Sequence, residues 1–401
     1  MVISMGSKIE NLSKSRHELQ TVVMLGSFAF GFMSFVLPIY SKKIGGDALS
    51  IGGLFSIFSL VTLLLRPLIG KGTDKYGRKV FFVAAFFFYG FSMFLFSYST
   101  NIFTLYISRF VQAIGASLMW ISAYSIAIDS AEDGKRGAAI GLVDGASSKG
   151  SFYGALIGFT IMGYFTLMSG WSILFKGYGI LSIAAGYIAY RYIPETKSSI
   201  FTPADCGSNE LNQGFVKLLV IVFFSAISIS MVSPLLMIYL QEKFTTDVAE
   251  LAVAFVPAAV VYAFLPGKLG KLSDKYGRIM PLVIGLIASG IVSLCFPGVH
   301  SIRLLVVLWV LESVGVVLAS PAEKALVADM AGENIRGSAY GMYLFVASLG
   351  AVIGPLMGGW LYDSFGYAFP FYVNGITLLL DAILAIILLG RYGKNAQKAI
   401  L

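Results

Sequence analysis

Gly70-Lys71-Gly72-Thr73-Asp74-Lys75-Tyr76-Gly77-Arg78-Lys79 decides the fold, because most of it is written twice. The second copy is Gly270-Lys271-Leu272-Ser273-Asp274-Lys275-Tyr276-Gly277-Arg278. The offset, 274 − 74 = 200 residues, is about half of the 401-residue chain, which marks an internal repeat. Each copy lies between two long apolar runs, so each is expected to be a short, charged loop joining two membrane helices.

The repeat extends well beyond that stretch. At the same offset Asp129 matches Asp329, Arg136-Gly137 matches Arg336-Gly337, and Gly141 matches Gly341. Gly115 matches Gly315, and the series Gly150, Gly154, Gly158 matches Gly350, Gly354, Gly358.

Composition agrees with a membrane reading. The chain is 57% hydrophobic and 12% charged, with a mean hydropathy of +0.82. A soluble chain has about half apolar and about a quarter charged residues. The apolar runs are about 20 residues long, the length of a spanning helix, and they lack the short alternation of a barrel strand. Helices are expected near 21–41, 50–70, 80–98, 102–126, 137–165, 171–191, 216–240, 248–268, 279–297, 303–325, 338–362 and 368–390. Residues 1–20 then form an N-terminal tail, 21–191 one six-helix bundle, 192–215 a polar linker, 216–390 a second bundle and 391–401 a C-terminal tail.

The net charge of +8 reflects topology and does not point to nucleic acid. With the N-terminus inside, about 21 of the 29 Lys and Arg fall on the cytoplasmic side and about five outside (Lys42, Lys43, Lys176, Lys243, Arg303). Both termini are expected in the cytoplasm of a cell with this chain in its plasma membrane. The first apolar segment has no small-residue cleavage site and is expected to remain as the first helix. Cys206 and Cys295 face different environments, so neither a disulfide nor a metal site is expected. His17 and His300 lie in a tail and a loop, and no phosphate-binding loop is present. Neither enzymatic chemistry nor a cofactor is expected.

The pattern Gly-x-x-x-Asp-Arg/Lys-x-Gly-Arg, present twice, resembles the loop signature of major facilitator superfamily transporters. Ile193-Pro194-Glu195-Thr196 after the sixth helix also looks like that family. The resemblance implies an all-α membrane protein with 12 transmembrane helices in two pseudo-symmetric six-helix bundles, related by an axis along the membrane normal. It implies alternating-access transport of a small molecule by a monomer in the lipid bilayer. The motifs look most like those of the drug:proton antiporter branch. The expected activity is proton-coupled efflux of a small apolar or amphipathic compound, with proton-coupled import of a small organic solute as the alternative. A transporter-like sensor would need an added signalling domain, for which linker and tails are too short.

Three groups of residues carry the expected mechanism. The first is a gate: Gly70, Asp74, Lys75, Gly77, Arg78 and Asp129, with Gly270, Asp274, Lys275, Gly277, Arg278 and Asp329 as the second copy. A carboxylate at a helix end can accept from free N–H groups at the start of a facing helix. The resemblance places Asp74 near Gly337 and Ser338, and Asp274 near Gly137. It would pair Arg78 with Asp129 and Arg278 with Asp329.

The second group is intramembrane charge: Arg66, Arg109 and Lys149 against Asp144, Glu312 and Asp381. Unpaired charge is expensive there, so pairing is expected. Arg109-x-x-Gln112-x-x-Gly115 resembles the fourth-helix signature, which places Arg109 in the proton or substrate path. Lys149 lies about 12 residues, ~18 Å, into its helix. Arginine stays protonated, so a neighbouring carboxyl must carry any proton, and Asp144 and Glu312 are the candidates. Arg66 and Asp381 are expected to be structural.

The third group, Gly150, Gly154, Gly158 and Gly350, Gly354, Pro355, Gly358, is expected to let helices pack closely. Gly350-x-x-x-Gly354-Pro355-x-x-Gly358-Gly359 resembles the antiporter signature. That signature belongs to the fifth helix, where this chain has Ala155 and Phe159 instead of its proline and last glycine.

Overall fold

The structure is a computed structural model, and it describes residues 17–131, 136–196, 213–266, 268–269, 276–330 and 336–398. Gly270, Asp274 and Lys275 of the second gate copy lie outside the described residues, as do residues 1–16, 197–212 and Cys206.

Among the described residues all regular structure is helical, in twelve successive segments. They are α1 His17–Lys43, α2 Ala48–Tyr76, α3 Arg78–Tyr98, α4 Ile102–Asp129, α5 Arg136–Tyr164 and α6 Leu167–Tyr192. The second set is α7 Gln213–Lys243, α8 Val248–Phe264, α9 Ile279–Cys295, α10 Ile302–Met330, α11 Arg336–Phe365 and α12 Phe369–Lys398. Ten of these are long and apolar enough to cross a membrane. The other two are α5, which carries Asp144 and Lys149, and the shorter α8. A helix satisfies its own backbone where no water is available, so continuous apolar runs take this form.

The structure corrects one expectation about the repeated stretch. The first copy is not a loop: α2 stays helical through Lys71, Asp74 and Tyr76, and α3 starts at Arg78. The whole connection is Gly77, at φ 101° and ψ 159°. That backbone region is essentially closed to residues with a Cβ. The side chains of Lys71, Asp74 and Lys75 are exposed along that last stretch of α2, so none has to be buried for the helix to continue. Gly277 likewise has a positive φ, 82°. Other ends also run further than expected: α1 is helical from His17, α10 continues to Met330, and α12 to Lys398.

The chain forms two compact units, Met1–Gly45 with Ile57–Pro203, and Gly46–Ser56 with Ala204–Leu401. In the first unit α3 packs along α4 and α6, and α1 along α5. In the second the counterparts repeat: α9 packs along α10 and α12, and α7 along α11. Phe82, Phe86, Met119 and Ala185 centre the first core, and Leu282, Leu286, Leu378 and Ala382 the second.

Small residues set the closest approaches. A Cβ at Gly150 or Gly154 would run into the α1 carbonyls of Met24 or Phe28, and one at Gly158 into the Phe32 ring. In the second unit Gly350, Gly354 and Gly358 lie against Ala226, Ser230 and Met231 of α7. Backbones this close gain dispersion contacts that lipid tails cannot supply.

A second repeated device holds the opposite ends of these helices. The Tyr40 hydroxyl donates to the Ser99 carbonyl at 2.7 Å, and its ring stacks on Trp171 at 3.7 Å. In the second unit the Tyr239 hydroxyl donates to the Phe296 carbonyl at 2.7 Å, and its ring lies 4.8 Å from Phe371. Each buried aromatic thus keeps a polar partner for its hydroxyl.

Candidate functional site

The end of the first unit at the α2–α3 turn is a network centred on Arg78. Its side chain is only 10% exposed. A guanidinium so placed needs acceptors on most of its N–H groups. Nε donates to Asp129 at 3.1 Å, one terminal nitrogen to the Thr73 carbonyl at 2.8 Å, and the other pairs with Asp74 at 3.0 Å. Three acceptors from α2 and α4 therefore hold one planar fork.

The segment after α6 completes the network. Glu195 accepts the backbone N–H groups of Arg78 at 2.8 Å and Lys79 at 3.1 Å. Thr196 donates to Asp129 at 3.1 Å. In the second unit Arg278 Nε reaches Asp329 at 3.2 Å, with both side chains more exposed than in the first copy. The structure thus places Arg78 beside Asp129 and Arg278 beside Asp329, and gives Asp74 to Arg78.

Deeper in the first unit is a buried polar chain on α4. Arg109, 6% exposed, donates to the Gln112 side-chain oxygen, and Gln112 donates to the Tyr89 hydroxyl at 3.2 Å. The Arg109 guanidinium also lies 4.5 Å from the Phe58 ring centre, a cation–π arrangement suited to a site short of water. Gln112 is fully buried.

An aromatic strip runs on from that chain. Phe30 is 5.3 Å from Tyr89 and 6.0 Å from Trp120, and Trp120 stacks on Tyr124 at 5.6 Å. The strip ends in charge: Tyr124 donates to Asp144 at 2.6 Å. Asp144 and Lys149 are exposed on α5. Helices α1, α3, α4 and α5 thus present an apolar wall with a buried cation at one end and a carboxylate at the other.

The expected three-on-three ion pairing takes another form. Asp144 meets Tyr124, and Asp381 meets the Ser225 hydroxyl at 3.1 Å. Asp381 is 1% exposed between α12 and α7. Glu312 is half-buried on α10, and Arg66 is half-buried on α2. Hydroxyls rather than cations serve Asp144 and Asp381.

Sequence reasoning missed Glu195, Thr73, Phe58 and Tyr89. Only Glu195 carries a legible signal, in Pro194-Glu195-Thr196 beyond α6. The others are a carbonyl, a ring and a hydroxyl whose roles depend on neighbours in other turns and helices.

The chain is similar to known proteins over most of its length. A family model described as Major Facilitator Superfamily matches residues 21–207 and 218–399. The chain is 25% identical to "Multidrug resistance protein 1" of Bacillus subtilis over 377 residues, covering 92% of this chain and 94% of that one. It is 27% identical to the "Synaptic vesicular amine transporter" of Mus musculus over 376 residues, 91% of this chain and 71% of that one. A crystal structure of a bacterial homologue of the human lysosomal transporter Spinster superposes with a TM-score of 0.74 at 15% identity, covering 96% and 97% of the two chains.

Proposed function

We propose that this chain, which belongs to the major facilitator superfamily of membrane transporters, exports a small apolar or amphipathic compound in exchange for protons. That it is a small-molecule transporter and not an enzyme follows from the family. Direction, coupling ion and substrate class are our reading.

The observation that carries the reading is the wall from Arg109 to Asp144. The rings of Phe30, Trp120 and Tyr124 offer apolar surface of the kind that receives hydrophobic ligands. Asp144, held by Tyr124, is the group assigned to the proton. Arg109 stays charged and positions Gln112 and Tyr89. A carboxyl that takes up a proton from one side and is emptied by the substrate on the other couples the two fluxes. The similarity to a multidrug resistance protein and an amine transporter supports export of such compounds.

The gate is assigned to Asp74, Arg78 and Asp129, with Arg278 and Asp329 as the weaker copy. Each pair ties a helix end to its neighbour through charge-assisted hydrogen bonds at about 3 Å. Such bonds can break and re-form without rebuilding a core.

The test is transport by the purified protein in liposomes with an imposed pH gradient and a compound panel. Substrate movement against the proton gradient, with proton flux evoked by substrate, is the expected result. Movement of substrate and proton in the same direction would replace export by import. Movement without a proton response would remove the coupling.

A further inference from the structure

We propose that the exposed seam between α3 and α6 is a binding site for an anionic phospholipid, with the headgroup at Lys79 and Arg191 and the acyl chains along the seam. The site lies wholly within the first unit. It does not depend on the direction or coupling of transport.

Along its length the seam is apolar. Val80, Phe87 and Phe91 share one exposed stripe of α3, and Ile180, Ile183 and Tyr187 share one of α6. The two helices meet closely between the stripes, where a Cβ at Gly90 would press on Ile183 and on the Gly179 carbonyl. The result is a shallow lane that suits hydrocarbon chains.

Each end of the lane holds a cation over a ring, and each pair bridges the two helices. Lys79 of α3 places Nζ 5.5 Å from the ring centre of Tyr190 on α6, and Lys176 of α6 lies 4.9 Å from that of Tyr98 on α3. Lys79 and Tyr98 stand 98 − 79 = 19 residues apart on one helix. That is ~29 Å at 1.5 Å per residue, close to the ~30 Å of a hydrocarbon core. The pairs therefore stand at the two headgroup levels. A ring face attracts an ammonium but uses none of its three donors as an acceptor oxygen would. Among the described residues no carboxylate pairs with the side chain of Lys79, Lys176 or Arg191. A phosphodiester supplies that anion. The Lys79 end takes the headgroup because exposed Arg191, next to Tyr190, adds a second cation there.

The repeat supplies the comparison. In the second unit Met280, Ile287 and Ile291 of α9 and Leu380 and Ile383 of α12 are exposed at the corresponding positions. The lane is thus kept, as any lipid-facing surface requires. Its ends are not: Lys79, Tyr98, Lys176 and Tyr190 correspond to Ile279, Gly298, Ile376 and Gly390. Arg191 recurs as Arg391, so the difference lies in the lysines and the rings. Bilayer contact alone would leave both units alike; the added cations and rings of the first point to a charged lipid.

Native mass spectrometry of the full-length protein in a neutral detergent tests this, with phosphatidylglycerol and phosphatidylcholine titrated in turn. The first phosphatidylglycerol is expected to bind more tightly than the first phosphatidylcholine. Lys79→Ile and Arg191→Leu should each weaken it by roughly fivefold, about 1 kcal/mol per cation, and leave phosphatidylcholine unchanged. Lys79→Arg keeps the charge and should bind as the unchanged protein does. Lys217→Leu removes an exposed cation from α7 and should have no effect. Equal affinity for the two lipids would overturn the site, as would an equal loss in Lys217→Leu. Full competition by free glycerol 3-phosphate would also overturn it, because the seam would then take no part. Arg191→Leu covers the case in which Lys79→Ile does not fold.

Discussion

Glu195 places its carboxylate on the backbone N–H groups of Arg78, at 2.8 Å, and of the next residue, at 3.1 Å. The segment that follows α6 therefore caps the start of α3. Gly77, the cap position itself, has no side chain with which to do so. Glu195→Ala should destabilise the protein by about 0.5–2 kcal/mol, the usual loss of a helix cap. Glu195→Gln, with one acceptor left, should lose less. Thermal unfolding of the purified variants measures both, and an unchanged alanine variant would show the cap to be idle.

Gly77 and Gly277 should separate two costs. Alanine at either must adopt a positive φ, which costs about 1–3 kcal/mol. At Gly77 the new Cβ also displaces the Glu195 carboxylate, whereas nothing lies within 4 Å at Gly277. Gly77→Ala is expected to lower the unfolding midpoint clearly more than Gly277→Ala. Equal shifts would mean that Glu195 yields freely.

Asp74 and Asp129 share Arg78 but not its burial. The Asp74 side chain is 42% exposed and the Asp129 side chain 18%. An exposed pair is worth about 0–1 kcal/mol, so Asp74→Asn should fold normally and slow transport. Asp129→Asn should also lower stability, by about 1.5–3 kcal/mol, because a half-buried charged bond is lost. Transport at the normal rate in Asp74→Asn would end its assignment to the gate.

Proton flux in liposomes distinguishes the carboxyls. Asp144→Asn is expected to abolish substrate-evoked proton movement, and Tyr124→Phe to reduce it by removing the 2.6 Å bond. Glu312→Gln should have the smaller effect of the two carboxyl variants. If Asp144→Asn and Glu312→Gln both keep normal flux and transport, the coupling site is elsewhere or the protein is a uniporter.

Arg109→Lys should impair transport although the charge is kept. Lysine has no planar fork to hold Gln112 while lying over Phe58. A fully active lysine variant would leave Arg109 only a charge requirement. Gly154→Ala against Gly163→Ala checks the helix spacing by thermal unfolding. The first meets the Phe28 carbonyl and should be destabilised by about 1–3 kcal/mol, and the second meets nothing within 4 Å and should be unaffected.

Much of the charged network is legible in the order of residues alone. Duplicated charge at fixed places in an apolar chain is costly to keep, so Asp74, Arg78, Asp129 and their copies stand out against the background. The aromatic wall is not legible in that way. Phe30, Trp120 and Tyr124 read like any lipid-facing or packed ring, and only the register of α1 against α4 assembles them. Tyr40 and Tyr239 stay hidden for the same reason, since their partners are backbone carbonyls of no particular residue type.

The sequence by itself determined the succession of helices, the 200-residue repeat and the family, because run length, charge and a repeated motif are properties of order along one chain. Only the tertiary structure decided that the first copy of the repeated stretch is helix up to a single glycine, that Glu195 closes the turn, and that Asp144 and Asp381 meet hydroxyls rather than cations. It alone placed Asp363 on the start of α2, some 315 residues away. Hydrogen bonds act over about 3 Å in space. Partners that far apart in sequence are brought within reach only by how the helices pack.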